Sequence, residues 1–338
     1  MKIASFHDIN DIRYENVNKP VIGEGEILVK VRVCGLCGTD VSKIRGKTVA
    51  VPAVLGHEVA GDIAEVGEGI EGVKVGERVV VSHHVPCFTC RYCRHGSYSQ
   101  CESFKKTNIV PGGFSEYMRV LPRSVEKSTF RIPDSLSYEQ AAFTETVACC
   151  LRAVNKCEIR RGDTVMIIGA GPVGLLHLQL ALLSGASNVI VSDLVDFRLD
   201  FALKLGADKV VNPSRDSTEK IAKEVNRADI VIVAVGNTDA LEESLNFVSG
   251  GGRVMFFAES PEGSLLKLDP NFIYHSEVTI LGSYSSTSLE QVTALELIKN
   301  GRIKVKELIT HRFKLDKLSE AVALAMKGKK SLKIMIEP

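Results

Sequence analysis

From Asp163 onward the chain alternates short apolar runs with helical stretches, and this rhythm restricts the fold more than any single residue does. "TVMIIGA" reads as a buried strand, "GPVGLLHLQLALLSG" as a helix closed by Gly185, and "NVIVSD" as a second strand. "FRLDFALKLGA" continues as a helix, with "KVVN", "ADIVIVAVG" and "GGRVMFFA" as further strands. Strands separated by helices need crossover connections, which place them side by side in a parallel sheet covered on both faces. The predicted class is α/β, with a doubly wound parallel sheet.

Between the first of these strands and its helix lies "GAGPVG", with Gly169, Gly171 and Gly174 in the GxGxxG arrangement and Pro172 and Val173 between them. The glycines allow a tight turn, a close approach of backbone to a pyrophosphate, and close packing of helix on strand. The helix N-terminus then offers unpaired N–H groups to the phosphates. Asp193 ends the second strand about twenty residues beyond the last glycine, where a carboxylate can accept hydrogen bonds from both ribose hydroxyls. It would repel the 2′-phosphate of NADP, so NAD is the expected cofactor. Arg198 is the nearby group that could tolerate the extra phosphate. Asp193 as a simple turn or cap residue is the plainer alternative.

The first 145 or so residues have a different texture. "EILVKVRVCG" and "GDIAEVGEGIEGVKVGERVVV" alternate as half-buried strands do, punctuated by glycine turns, and point to a small barrel-like antiparallel region. Around Tyr138 the spacing becomes helical, with Ser137 as an N-cap ahead of Gln140. After "VTILGSY" helices and short strands return, and we expect them to rejoin the first domain. The expected domains are 1–147, 148–284 and a returning segment 285–338; no internal repeat or low-complexity linker interrupts them.

A chain of 338 residues suits two domains rather than one core. Its formal net charge of +1 leaves no broad basic field for nucleic-acid phosphate. The basic run "KGKKSLK" near the C-terminus reads as solvated helix ends. The one long apolar stretch, "TVMIIGAGPVGLLHLQLALLSG", is broken by glycines and by His177 and Gln179 into pieces too short to span a bilayer. The start of the chain has charges where an export signal needs an apolar run, so the nine cysteines are expected to sit in the reducing cytoplasm and to serve metals or cores.

Three segments carry metal-ligand chemistry. "CFTCRYCRHGSYSQC" holds Cys87, Cys90, Cys93 and Cys101, a spacing that suits either a nucleic-acid-binding zinc module or an internal metal strut; the balanced charge disfavours the first. "CGLCGTD" brings Cys34, Cys37, Thr39 and Asp40, and "GHE" brings His57 and Glu58. Singly, Cys34 could be a small buried hydrophobe, His57 a core histidine, Glu58 a surface charge and Asp40 a turn residue. Together, a thiolate, an imidazole and a carboxylate with one open position are what a catalytic zinc requires.

These elements, in this order, resemble the zinc-dependent medium-chain dehydrogenase/reductases. The match runs through "CGTD", then "GHExxGxxxxxG" at Gly56, His57, Glu58, Gly61 and Gly67, the cysteine ladder, "GGFSEY" at 112–117 and "GAGPVG". Its flavour is closest to the polyol, sorbitol and threonine dehydrogenase branch. The resemblance implies a Rossmann domain beside a GroES-like catalytic domain, with the ladder as a structural-zinc lobe at 86–102. It implies two zinc ions per chain, four thiolates closing the structural one. Cys37 and His57 would hold the catalytic zinc with Glu58, Glu145 or both, and Asp40 would orient His57. Glu145 lies in "FTETVACC", where relatives often read Glu-Pro-Leu, so Thr146 and Val147 depart from the family pattern.

The implied reaction passes a hydride from a secondary alcohol, such as a sugar alcohol, to NAD+, reversibly, with Thr39 taking the hydroxyl proton. Many relatives carry a relay histidine where this chain has Ser42, followed by Lys43. His83, His84 and His275 are expected to be structural. Ser42, Phe114, Glu145 and Tyr284 are the expected pocket residues. L-Threonine or amino-alcohol oxidation is the alternative activity, and a catalytically silent NAD-binding relative the remote one. A homodimer or homotetramer is the family's usual assembly.

Overall fold

The computed structural model describes residues 1–338 apart from the side chain of Glu224. The chain forms two compact units, Met1–Ala148 with Ser285–Pro338, and Cys149–Tyr284.

The first unit opens with the antiparallel pair β1 (Lys2–Asp8) and β2 (Asp11–Asn16). Its spine is β3 (Ile27–Leu36), where Lys30 and Arg32 face solvent while Val29, Val31 and Val33 are buried, as the period-two pattern requires. β4 (Glu58–Val66) and β5 (Arg78–Val81) add on one side of β3, β6 (Tyr117–Val120) pairs with its first half, and β7 (Thr129–Arg131) follows β5. Val29, Val31, Val59, Ile63, Val79, Val81, Met118 and Val120 fill the space these strands enclose. Ser137 does cap the helix Tyr138–Ala142, its hydroxyl accepting from the Gln140 N–H at 3.2 Å.

The second unit holds β8 (Thr164–Ile168), β9 (Asn188–Ser192), β10 (Lys209–Val211), β11 (Ala228–Val233), β12 (Val248–Phe256) and β13 (Thr279–Gly282). They form a parallel sheet in the order β10-β9-β8-β11-β12-β13. The chain steps outward from β8 to β10, then crosses back to β11, so the winding reverses beside β8. Ligands of doubly wound sheets bind beyond the strand ends at such a reversal, and "GAGPVG" leaves β8 there.

The chain then returns to the first unit with β14 (Ile309–Lys314) and β15 (Lys333–Glu337). The completed sheet runs β14-β15-β3-β4-β5-β7. It is not wholly antiparallel: β14 and β15 are parallel because the helix Leu318–Lys327 carries the chain back between them. β15 lies antiparallel to β3, pairing Met335 with Gly35. Among the described residues no helix is long and apolar enough to cross a membrane.

Candidate catalytic metal site and dinucleotide cradle

β3 stops at Leu36, and Cys37 becomes the N-cap of the helix Gly38–Gly46. On the neighbouring strand His57 immediately precedes β4, whose first residue is Glu58. The β3–β4 register therefore brings one ligand-type atom each from Cys37, His57 and Glu58 within 4.8 Å of one another. Asp40 fastens this group. Its buried carboxylate accepts from the Cys37 N–H at 3.1 Å and the Gly56 N–H at 3.2 Å, and lies 3.3 Å from His57 Nδ1. That contact leaves the far nitrogen of His57 for a metal, the arrangement that metal-binding histidines require. Burial alone would depress His57, but the charges of Asp40 and Cys37 outweigh it and hold its pKa well above the ordinary value. Cys34 is no part of the set: fully buried, its thiol is pushed up by burial and then by Asp40 and Glu58, and it packs as a small apolar group.

Glu58 has a partner that the sequence reading missed. Lys333 Nζ lies 2.6 Å from both Glu58 carboxylate oxygens, and both side chains are almost wholly buried, at 3% and 1% exposure. Burial would lower the Lys333 pKa, but Glu58 and then Cys37 outweigh it, so the ammonium is held charged. Lys333 is the last residue of "KGKKSLK": Lys327, Lys329 and Lys330 of that run are exposed as expected, but Lys333 is buried and is no solvated end. The strand pairing explains why: β15 lies beside β3 and β4 on its other side, which carries Lys333 toward Glu58 across β3. The crossing needs Gly35, because a Cβ there would sit 2.0 Å from Glu58 Oε2.

The remaining expected site residues are scattered in their surroundings. Glu145 is half-buried in the first turn of the helix Thr144–Cys157 and lines a small recess with Val59, Val80, Val81 and Gln291. It acts electrostatically on Lys333. Thr39 and Ser42 are exposed on the helix that Cys37 caps. Phe114 is fully buried in the first unit's core, its ring packed rather than presented to solvent. Tyr284 and His275 belong to the second unit and are exposed. His83 and His84, expected to be structural, lie in a row of rings with His57: the His57–His83 centroids are 4.8 Å apart and His83–His84 3.9 Å.

The ladder forms a separate cluster. Cys87, Cys90, Cys93 and Cys101 present their sulfurs together, with Cys87–Cys93 at 3.9 Å and Cys90–Cys93 at 3.6 Å. Sulfurs at the corners of a tetrahedron around zinc are about 3.8 Å apart, given a Zn–S bond of about 2.3 Å. The four residues therefore fit a closed tetrahedral site. Backbone N–H groups of Cys87 and Cys90 reach sulfur at 3.3 Å, which favours thiolates. Burial pushes the Cys93 thiol up to about 12, as crowding without a cation should.

In the second unit Gly171 caps the helix Pro172–Ser184, and no atom lies within 4 Å of where its Cβ would be. A Cβ on Gly174 would sit 1.7 Å from the Gly169 oxygen, so helix and turn pack at glycine-only distance. Asp193 is buried beside this turn, accepting from the Ala170 N–H at 2.7 Å and the Val195 N–H at 2.8 Å. Arg198 leans on the same carboxylate at 3.7 Å. Open space over the turn, free N–H groups at a helix start and a fixed acid fit a dinucleotide.

The family model for the alcohol dehydrogenase GroES-like domain matches residues 23–134, and that for zinc-binding dehydrogenases matches residues 172–300. Sorbitol dehydrogenase of Bacillus subtilis (strain 168) is 34% identical over 100% of this chain and 97% of its own length. L-threonine 3-dehydrogenase of Pyrococcus horikoshii is 35% identical over 93% of this chain and 91% of its own. An alcohol dehydrogenase of Escherichia coli CFT073, solved with NADH, superimposes with a TM-score of 0.90 at 29% identity, over 100% of this chain and 99% of that one. The chain belongs to the zinc-dependent medium-chain dehydrogenase/reductases, in their polyol and threonine dehydrogenase branch. It is an oxidoreductase that uses zinc and a nicotinamide cofactor on a small-molecule substrate.

Proposed function

We propose that the protein is an NAD-dependent polyol dehydrogenase, interconverting a secondary alcohol and its ketone at Cys37, His57 and Glu58. The observation that carries this is the mixed sulfur, nitrogen and oxygen donor set locked by Asp40. Three protein donors leave a coordination position for substrate, whereas the four thiolates of the ladder leave none. The mixed set would hold zinc, which would supply Lewis acidity toward a hydroxyl, and the glycine turn would hold a nicotinamide cofactor able to accept a hydride. The second zinc belongs to Cys87, Cys90, Cys93 and Cys101.

The chain's own groups do the rest. Asp40 fixes the His57 ring, and Gly35 leaves room for the Glu58 carboxylate that pairs with Lys333. Lys333 neutralises Glu58 without removing its free lone pairs, so Glu58 can serve the metal while it stays paired. Glu145 is the second carboxylate available to the site. Thr39 and Ser42 stand three residues apart on one helix face, and their hydroxyls offer the substrate proton a way out. NAD is favoured over NADP because the Asp193 charge, beside the glycine turn, would repel a ribose 2′-phosphate and also engages Arg198. The similarity to threonine dehydrogenase makes L-threonine the second reading. Nine cysteines, none in a disulfide among the described residues, suit the cytoplasm, and the family's dimer or tetramer is the expected assembly.

The test is NAD+ reduction over polyols, inositols, sugar phosphates and amino alcohols, before and after zinc is stripped and restored. Turnover that vanishes on stripping and returns with zinc supports the reading. No NADH from any secondary alcohol defeats it.

A further inference from the structure

His83 and His84 follow β5 after Ser82, and their rings continue from His57 toward Phe104, whose ring is 5.0 Å from His84. In each ring Nδ1 is buried and has no partner, while Nε2 is not among the buried, unpartnered atoms. A buried N–H without an acceptor is rarer and costlier than a buried acceptor without a donor. The ring proton therefore belongs on Nε2 in both residues, where no protein acceptor caps it.

Lys43 completes the group. It sits on the helix that Cys37 caps, half-buried, and acts electrostatically on both histidines. Among the described residues it has no ion-pair partner, unlike Lys333. Two nearby carboxylates are already engaged, Asp40 with His57 and two backbone N–H groups, and Glu58 with Lys333. A neutral polyol presents hydroxyls that donate as well as accept. The face formed by Lys43, His83 and His84 offers donors only, one of them a full positive charge.

We propose that Lys43, His83 and His84 form an anion subsite beside the catalytic donor set, selecting secondary alcohols that carry a phosphate or carboxylate close to the reacting carbon. The inference rests on the dehydrogenase reading and narrows its substrate class. The anion accepts the two Nε2–H bonds and pairs with the ammonium, while the carbinol end reaches toward Cys37 and His57. A phosphorylated sugar alcohol and L-threonine share this chemistry.

The zinc-loaded protein is assayed with sorbitol 6-phosphate, with sorbitol and with L-threonine, and binding of inorganic phosphate is measured separately by calorimetry. Charge-assisted hydrogen bonds predict kcat/KM about 10- to 100-fold higher for an anionic substrate than for the neutral polyol. Lys43→Met should collapse that ratio and Lys43→Arg should restore most of it, with His83→Gln and His84→Gln intermediate. Phosphate should bind the unaltered protein and not Lys43→Met. A preference for the phosphorylated alcohol or for threonine tells which anion the subsite takes. Equal or better turnover of sorbitol, together with phosphate binding that is absent or indifferent to Lys43→Met, overturns the proposal. Phosphate binding lost in Lys43→Met, with no alcohol oxidised at all, upholds the subsite and defeats the dehydrogenase reading instead.

Discussion

Replacing Lys333 by methionine keeps the length of the side chain and deletes its charge. Glu58, with no exposed surface, is then left as a buried carboxylate whose nearest cation is gone. Breaking a buried ion pair from one side costs about 3–5 kcal/mol, because the remaining charge is neither solvated nor paired. For a unit of this size, about 2–4 °C accompanies each kcal/mol, so the melting point should fall by roughly 6–20 °C. The loss should be greatest in protein stripped of zinc and smaller once zinc is restored, since a metal gives Glu58 another cation. Changing both residues to methionine removes both charges and should recover most of the stability, to within about 2 kcal/mol of the unaltered chain. The assay is thermal unfolding followed by circular dichroism, comparing each variant in matched metal states. If the single variant, zinc-free, melts within about 2 °C of the original, or if the double variant melts no higher than the single, the buried-pair argument is refuted.

Three other outcomes follow from separate parts of the molecule. Cys93→Ser should lower zinc content by one ion per chain and reduce heat resistance, as metal analysis and melting would show; unchanged stability with selective loss of turnover would contradict the structural role of the ladder. His177 is buried on the helix Pro172–Ser184 with neither ring nitrogen partnered, and burial holds its pKa at about 3 rather than 6.5. The unfolded chain therefore binds a proton that the folded chain refuses, so stability falls as pH drops from about 6.5 toward 3, by roughly 2 kcal/mol between pH 6.5 and 5. His177→Leu should flatten that acid-side loss in denaturant titrations; parallel pH profiles would refute it. Asp193→Ala should raise the NADP-to-NAD ratio of kcat/KM by about 10-fold or more, the worth of one charge-assisted contact, and an unchanged ratio would exclude Asp193 from cofactor choice.

The parts of this account that could be read from the sequence are those encoded locally. Strand–helix alternation after Asp163 depends on neighbouring residues, and so does the "GAGPVG" turn, so the parallel sheet was visible in advance. Cys37 with Asp40, and His57 with Glu58, were visible as short motifs for the same reason. Lys333 was not, because its meaning comes from a strand that pairs with β3 after the chain has passed through the whole second unit. The apolar run around "LKIMI" suits a strand but does not name its neighbour, and without β3 beside it a lysine in a basic run looks solvated. Gly35 was overlooked for a related reason: its lack of a side chain matters only when Glu58 lies across from it. His83 and His84 were seen as residues but not placed, since the contact of the His83 ring with His57 depends on the β4–β5 pairing.

The most direct test of the central claim combines zinc stoichiometry with turnover in the unaltered protein and in Cys37→Ser. The two donor clusters predict two zinc ions per chain in the first and one in the second. Turnover of secondary alcohols should be lost in Cys37→Ser while its melting point stays close to the original. A Cys37→Ser protein that keeps two zinc ions and its turnover would place the chemistry somewhere other than Cys37, His57 and Glu58.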